Sequence, residues 1–233
     1  MMNRRPDATG TSHVAATSDV TGTSHVTGTS HVTGTSYVTG TSQPRAVIFD
    51  LDGTLTRPLL NFEVISREIG IAPGLPILEA LEDRDPDFRA RAEGILRRHE
   101  LDAIARADLA DGCVELLDLL ARRGIPTAIL TRNMRDAVDA FVRRFDFSFH
   151  AIYTRDDGPP KPSPHGARVL CESLGFAPAD TLAVGDYKFD VICARDAGCR
   201  TALVRNPPPD DLIAWGSPDL VVESLRDLLP LWA

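Results

Sequence analysis

From residue 44 onward, short apolar runs alternate with amphipathic stretches. Ala46-Val47-Ile48-Phe49 is apolar at every position and stops at Asp50. A run this short, with no polar alternation, is the pattern of a strand covered on both faces in a parallel sheet. Thr127–Leu130, Phe149–Tyr153, Thr181–Val184 and Thr201–Val204 read as further strands. Between them the apolar positions recur at helical spacing. This predicts helices over Asn61–Ile69, Pro76–Leu81, Asp87–Arg106, from Asp111-Gly112 through Leu120, Arg135–Phe145, Pro164–Leu174, Phe189–Ala197, and an amphipathic one over Val222–Leu229. Gly124, Gly175 and Gly198 stand just past three of these stretches, where a left-handed residue ends a helix.

Strands and helices alternate from Asp111 on, which implies an α/β fold: a Rossmann-like parallel sheet with helices on both faces. Residues 58–110 interrupt that alternation and are helical throughout. They read as a small inserted all-helical cap, leaving 44–57 and 111–233 as the α/β core domain. Residues 1–43 differ in kind. TGTSHV recurs with a period of six, from Thr21, from Thr27 and, as TGTSYV, from Thr33. One valine per repeat buries too little to offset chain entropy, so a disordered low-complexity tail is expected.

Composition narrows the function classes. The net charge of −8 gives no bulk attraction to nucleic acid or an anionic membrane. No apolar run approaches the ~18 residues that span a bilayer. The four cysteines form no CxxC pair, and with no apolar signal segment at the start they read as reduced thiols of a cytoplasmic protein. Asp7, Asp19 and the arginine-free stretch between Arg5 and Arg45 argue against a transit peptide. Only two of the 25 Lys and Arg residues are lysines, Lys161 and Lys188. In so lysine-poor a chain, Lys161 in the loop GPPKPSP points to a site that needs a compact ammonium. Lys188 reads equally well as an exposed loop lysine.

In open α/β sheets ligands bind at the carboxyl ends of strands. Here those ends carry Asp50, Asp52, Gly53 and Thr54, then Thr131, then Lys161, then Gly185 and Asp186. Each has a plainer reading. Asp-x-Asp-Gly suits a turn, and Thr131 or Asp186 suits a helix N-cap. Their convergence on groups that handle phosphate is the argument for a site. Arg84, Arg89, Arg91, Arg97 and Arg98 in the insert read mostly as a solvated face.

Four segments in order, FDLDGTLT (Phe49–Thr56), ILTRN (Ile129–Asn133), KPSP (Lys161–Pro164) and GDYKFD (Gly185–Asp190), resemble the haloacid-dehalogenase-like superfamily over residues 44–229. The set looks most like its small-cap, phosphoglycolate-phosphatase-like branch. The resemblance implies a Mg²⁺-dependent phosphatase acting on a small phosphorylated metabolite, as a monomer or homodimer. It implies Asp50 as nucleophile and Asp52 as general acid and base. It implies a metal set of Asp50, the carbonyl of Asp52, Asp186 and, through water, Asp190. Gly53, Thr54, Thr131, the amide of Arg132 and Lys161 would bind the phosphoryl group. Asp52 and Asp186 argue against a metal-free dehalogenase, and the absence of lysine from 58–110 argues against imine chemistry on a cap lysine. A phosphomutase of the same fold and a non-catalytic scaffold remain as alternatives.

Overall fold

The computed structural model describes residues 42–205 and 207–233. The expected repeat tail falls almost wholly outside them. Strands β1 (Ala46–Phe49), β2 (Thr127–Leu130), β3 (Ala151–Tyr153), β4 (Thr181–Gly185), β5 (Arg200–Val204) and β6 (Leu220–Val222) form one sheet in the order β3-β2-β1-β4-β5-β6. Every neighbouring pair is parallel. The order reverses direction between β1 and β4, which makes their carboxyl ends the switch point where such sheets bind ligands.

The central strands are predominantly apolar because both faces are covered. Val47 and Phe49 pack on one side with Leu116, Leu120, Val138 and Phe141, from helices α4 (Cys113–Arg122) and α5 (Arg135–Phe145). Ala46 and Ile48 pack on the other with Leu170 and Ala194, from α6 (His165–Leu174) and α7 (Lys188–Ala197). The buried indole of Trp232 donates to the carbonyl of Pro44, tying the C-terminal segment to the start of β1.

Residues between β1 and α4 carry α1 (Phe62–Ile69), α2 (Ile77–Leu81) and α3 (Pro86–Arg106). Asn61 and Asp85 cap α1 and α3, accepting from the amides of Val64 and Phe88 at 3.1 and 2.9 Å. These helices have a small core of their own, with Ile65, Ile69, Ile77, Leu81 and Leu96 at its centre.

Two expectations differ from the structure. Val222–Leu229 is not an amphipathic α-helix. Leu220–Val222 pairs with β5 as the sixth strand, and Leu225–Leu231 is a 3₁₀ helix. Ser224 and Asp227 form a capping box that starts the helical segment after Val222, and Pro230 inside it lacks the N–H a regular α-helix would use. The third strand begins at Ala151 rather than Phe149, because Phe149 turns into an aromatic cluster with Phe147. All five insert arginines singled out above are exposed, as expected of a solvated face, and four of them make surface contacts. Arg97 pairs with Asp136 of α5, Arg98 with Glu68 of α1, and Arg84 and Arg91 lie over the Phe88 ring.

Candidate active site

Sheet register sets the geometry of the site. Phe49 pairs with Val184 and with Ile129, so the residues just beyond β1, β4 and β2 reach the same edge together. Asp50 stands at the centre of that edge, its amide donating to the carbonyl of Val184 at 2.9 Å. Lys161 reaches it from the loop after β3. The Lys161 ammonium, almost fully buried, donates to Asp50 Oδ1 at 2.5 Å, to Asp190 Oδ1 at 2.5 Å and to the carbonyl of Leu130 at 2.8 Å. All three of its N–H bonds are used, and a planar guanidinium would not reproduce that tripod.

Asp190 does two jobs. Besides pairing with Lys161, it accepts the amide of Tyr187 through Oδ2 at 3.0 Å, which caps α7. Gly185 makes room for it: a Cβ there would lie 2.3 Å from Asp190 Cβ. Gly53 does the same for Asp186. Its φ of +94° favours glycine, and a Cβ would sit 2.4 Å from Asp186 Oδ2.

Three carboxylates, Asp50, Asp186 and Asp190, bring oxygens within 4.8 Å of one another. One ammonium does not neutralise three such groups. Burial, with Asp50 and Asp190 adding to it, pushes Asp186 up to about 8. Burial raises Asp50 to about 7 against the pull of Lys161, with Asp190 adding to the rise. Burial would lower Lys161, but Asp190 and Asp50 outweigh it and hold the ammonium above the ordinary lysine range. Asp52 is raised to about 6, mainly by burial; the Leu59 amide approaches its Oδ1 at 3.5 Å and opposes the rise. No donor among the described residues hydrogen-bonds the Asp186 carboxylate. Hard oxygen donors with a surplus of negative charge fit a divalent cation such as Mg²⁺.

A cavity of about 430 Å³ opens from this edge toward α1, α2 and α3. Asp50, Asp52, Thr131, Arg132, Lys161, Asp186 and Asp190 line it; Gly53 and Thr54 do not. The Thr54 hydroxyl is fully buried with no hydrogen-bond partner among the described residues. Thr131 Oγ1 accepts the amide of Asn133 at 3.1 Å, so the turn and the cavity wall share one residue. Lys188 lies off the cavity wall, its ammonium 5.8 Å from the ring centroids of Tyr187 and Phe189.

Two contacts between the insert and the sheet escaped the sequence reading. Glu79 of α2 holds the Arg132 guanidinium through two bonds, at 2.9 and 2.7 Å, and Arg132 also donates to the carbonyl of Lys161 and stacks on Phe189. Glu100 of α3 is buried against Arg155 and accepts the amide of Met134 at 2.9 Å. Burial raises Glu100 above the ordinary glutamate range despite Arg155 beside it. The signal for Glu100 was its spacing from Leu96 and Ile104, which puts it on the inward face of α3.

A doubly wound sheet that gathers carboxylates and one buried ammonium at its switch point, beneath a helical insert, is the architecture of an enzyme that handles anions. The family model for haloacid dehalogenase-like hydrolases matches residues 44–198, and the chain belongs to that family. It is 32% identical over 200 residues to a haloacid dehalogenase-like hydrolase domain-containing protein of Arabidopsis thaliana, covering 79% of this chain and 82% of that one. It is 30% identical to phosphoglycolate phosphatase 1 of Pseudomonas aeruginosa, covering 80% and 79%. The crystal structure of a hydrolase from Pseudomonas syringae shares the fold, with a TM-score of 0.67 at 21% identity over 80% of this chain and 96% of that one. No helix among the described residues is long and apolar enough to cross a membrane.

Proposed function

We propose that the chain is a Mg²⁺-dependent phosphatase that hydrolyses small-molecule phosphate monoesters through an aspartyl phosphate on Asp50. The observation that carries this is the Asp50 carboxylate on the cavity wall, with Oδ1 held by the buried Lys161 ammonium and Asp186 beside it. Lys161 thereby fixes the carboxylate and brings positive charge to where a phosphoryl group would sit. Asp50 attacks phosphorus, the bond to the ester oxygen breaks, and Asp52 gives its proton to the departing alkoxide. Burial raises Asp52 to about 6, which makes it a readier proton carrier than an ordinary carboxylate. Asp52 then takes a proton from water, which attacks phosphorus and restores Asp50 with release of phosphate. Asp50, Asp186 and the carbonyl of Asp52 would hold Mg²⁺, which supplies charge neutralisation for the phosphoryl oxygens. Asp190 positions Lys161 and would order water beside the metal. Thr131 and the amide of Arg132 steady the phosphoryl group. Helices α1 to α3 act as a cap that excludes bulk water.

Phosphate release separates this from a phosphomutase. A phosphatase frees inorganic phosphate without any activator. Turnover that needs a catalytic bisphosphate and frees little phosphate would replace this reading.

Metal binding has a signature of its own in stability. The folded-state values of Asp50 and Asp186 lie above the ordinary carboxylate range. In metal-free protein their contribution is therefore full below about pH 4 and is lost as pH rises through about 7 to 8. Mg²⁺ favours the ionised form, so it offsets this loss only where the groups are ionised. The rise in Tm on adding Mg²⁺ is expected to be several degrees at pH 8 and to vanish near pH 5. An equal rise at both values would mean that the ion binds elsewhere.

Gly53→Ala tests the approach of the nucleophile loop to Asp186. The new methyl group would displace the Asp186 carboxylate, and the positive φ adds ~1–2 kcal/mol of backbone strain. Misplacing a reacting group by about 1 Å costs on the order of 10²-fold, so kcat/KM is expected to fall by at least that factor, with a lower Tm. Steady-state phosphate release and thermal unfolding together check it; wild-type kinetics in the variant would remove Gly53 from the account.

A further inference from the structure

The cavity above the carboxylates is large and mostly apolar, and its basic groups are already engaged. Leu60, Phe62, Ile65, Leu75, Ile77 and Leu96 of the insert face Tyr187 and Phe189 of the sheet side across it. Among the described residues, Arg132 and Lys161 are its only basic wall residues, and both are committed. Lys161 has its three acceptors, and Arg132 is held by both oxygens of Glu79 and the Lys161 carbonyl. The remaining charged wall residues away from the floor, Glu63 and Glu100, are acidic, and their partners Arg67 and Arg155 stand off the wall. A leaving group with a second anionic group, such as a carboxylate or another phosphate, would meet no unpaired cation and would face carboxylates. A polyhydroxylated leaving group would find polar partners in Ser66, Asn133 and the two glutamates, but would set its remaining hydroxyls against the hydrocarbon that makes up most of the wall. A two-carbon leaving group would leave most of the 430 Å³ unfilled.

We infer that the substrate is a phosphate monoester of an uncharged, predominantly apolar alcohol or phenol, whose hydrocarbon part fills the chamber between the insert helices and Phe189. This rests on the phosphatase reading and specifies its leaving group. Apolar burial in the transition-state complex then sets selectivity, and each added methylene contributes about a fourfold gain, equivalent to ~0.8 kcal/mol. Phe62, Leu75 and Tyr187 are exposed apolar side chains at the mouth of the same cavity, which extends the apolar path from solvent to the chamber.

The test is phosphate release with Mg²⁺ from a linear alkyl phosphate series, methyl through octyl below micelle formation, beside phenyl phosphate, phosphoglycolate and glucose 6-phosphate. The expected result is a kcat/KM that climbs about fourfold per methylene until the chamber is full, with the best apolar ester exceeding phosphoglycolate by ~100-fold or more. A flat series, or a preference for phosphoglycolate or the sugar phosphate, overturns the inference and leaves the phosphatase reading standing. No release from any ester overturns both. The double variant Phe62→Ser with Leu75→Ser locates the effect, since these side chains are 57% and 53% exposed and their loss spares the core. The chain-length slope should flatten; an unchanged slope overturns the assignment to this chamber.

Discussion

Replacing Asp50 with asparagine is expected to lower phosphate release by ~10⁴-fold or more while leaving the fold intact. An amide is not a nucleophile toward phosphorus at neutral pH, and no other carboxylate can substitute. In the proposed reaction Asp186 would hold the metal, and Asp190 already spends both oxygens on Lys161 and the Tyr187 amide. The amide oxygen can still accept from Lys161, whose pair with Asp190 survives. The substitution also removes one of three clustered negative charges. Tm is therefore expected within a few degrees of the wild type. Kinetics and thermal unfolding on the same preparation check both parts. Retained turnover would place the nucleophile elsewhere, and unfolding would make the kinetic loss uninformative about chemistry, in which case Asp50→Glu, which keeps the charge but shifts the attacking oxygen, decides.

Lys161→Ala is expected to be the most damaging single change to stability. Removing the ammonium strands Asp50 and Asp190 in a buried site, and breaking a buried pair from one side costs ~3–5 kcal/mol. For a chain of this size that is on the order of 10 °C in Tm. Lys161→Arg should not restore it, because the larger planar head cannot reach Asp50, Asp190 and the Leu130 carbonyl at once. The loss should be greatest near pH 8 and shrink below about pH 7, where Asp50 takes up a proton and no longer needs a counter-charge. Unfolding curves for both variants across that range check it. A loss independent of pH would mean that Lys161 acts through packing rather than charge.

The parts of this fold that were legible in the sequence are those where one physical demand acts alone. β1, β2 and β4 are buried on both faces, so their runs are apolar apart from an opening threonine in β2 and β4, and they end where the charged and polar site residues begin. The residues at those ends were legible because a parallel sheet brings carboxyl ends to one edge. The scarcity of lysine singled out Lys161 before its partners were known. What was hidden depends on pairing between distant segments. β6 is three residues long and is a strand only because β5 offers it an edge. Arg132 was noticed for its amide, yet its side chain is held by Glu79, more than fifty residues earlier. Glu100 sits in a helix rich in charge, and nothing local distinguishes it from its solvated neighbours except its place on the inward stripe with Leu96 and Ile104. Both glutamates tie the insert to the sheet, so the contacts that shape the cavity were the least visible part of the site.

The central claim is that the carboxylates around Asp50 form a metal-dependent phosphatase site. Its most direct test is inorganic phosphate release by the wild-type protein from a panel of phosphate monoesters, with Mg²⁺, with EDTA, and with Mg²⁺ restored in excess of EDTA. The account predicts release with Mg²⁺, none with EDTA and recovery on restoring the metal. Release that EDTA leaves unchanged, or no release from any ester by folded protein with Mg²⁺ present, would contradict it.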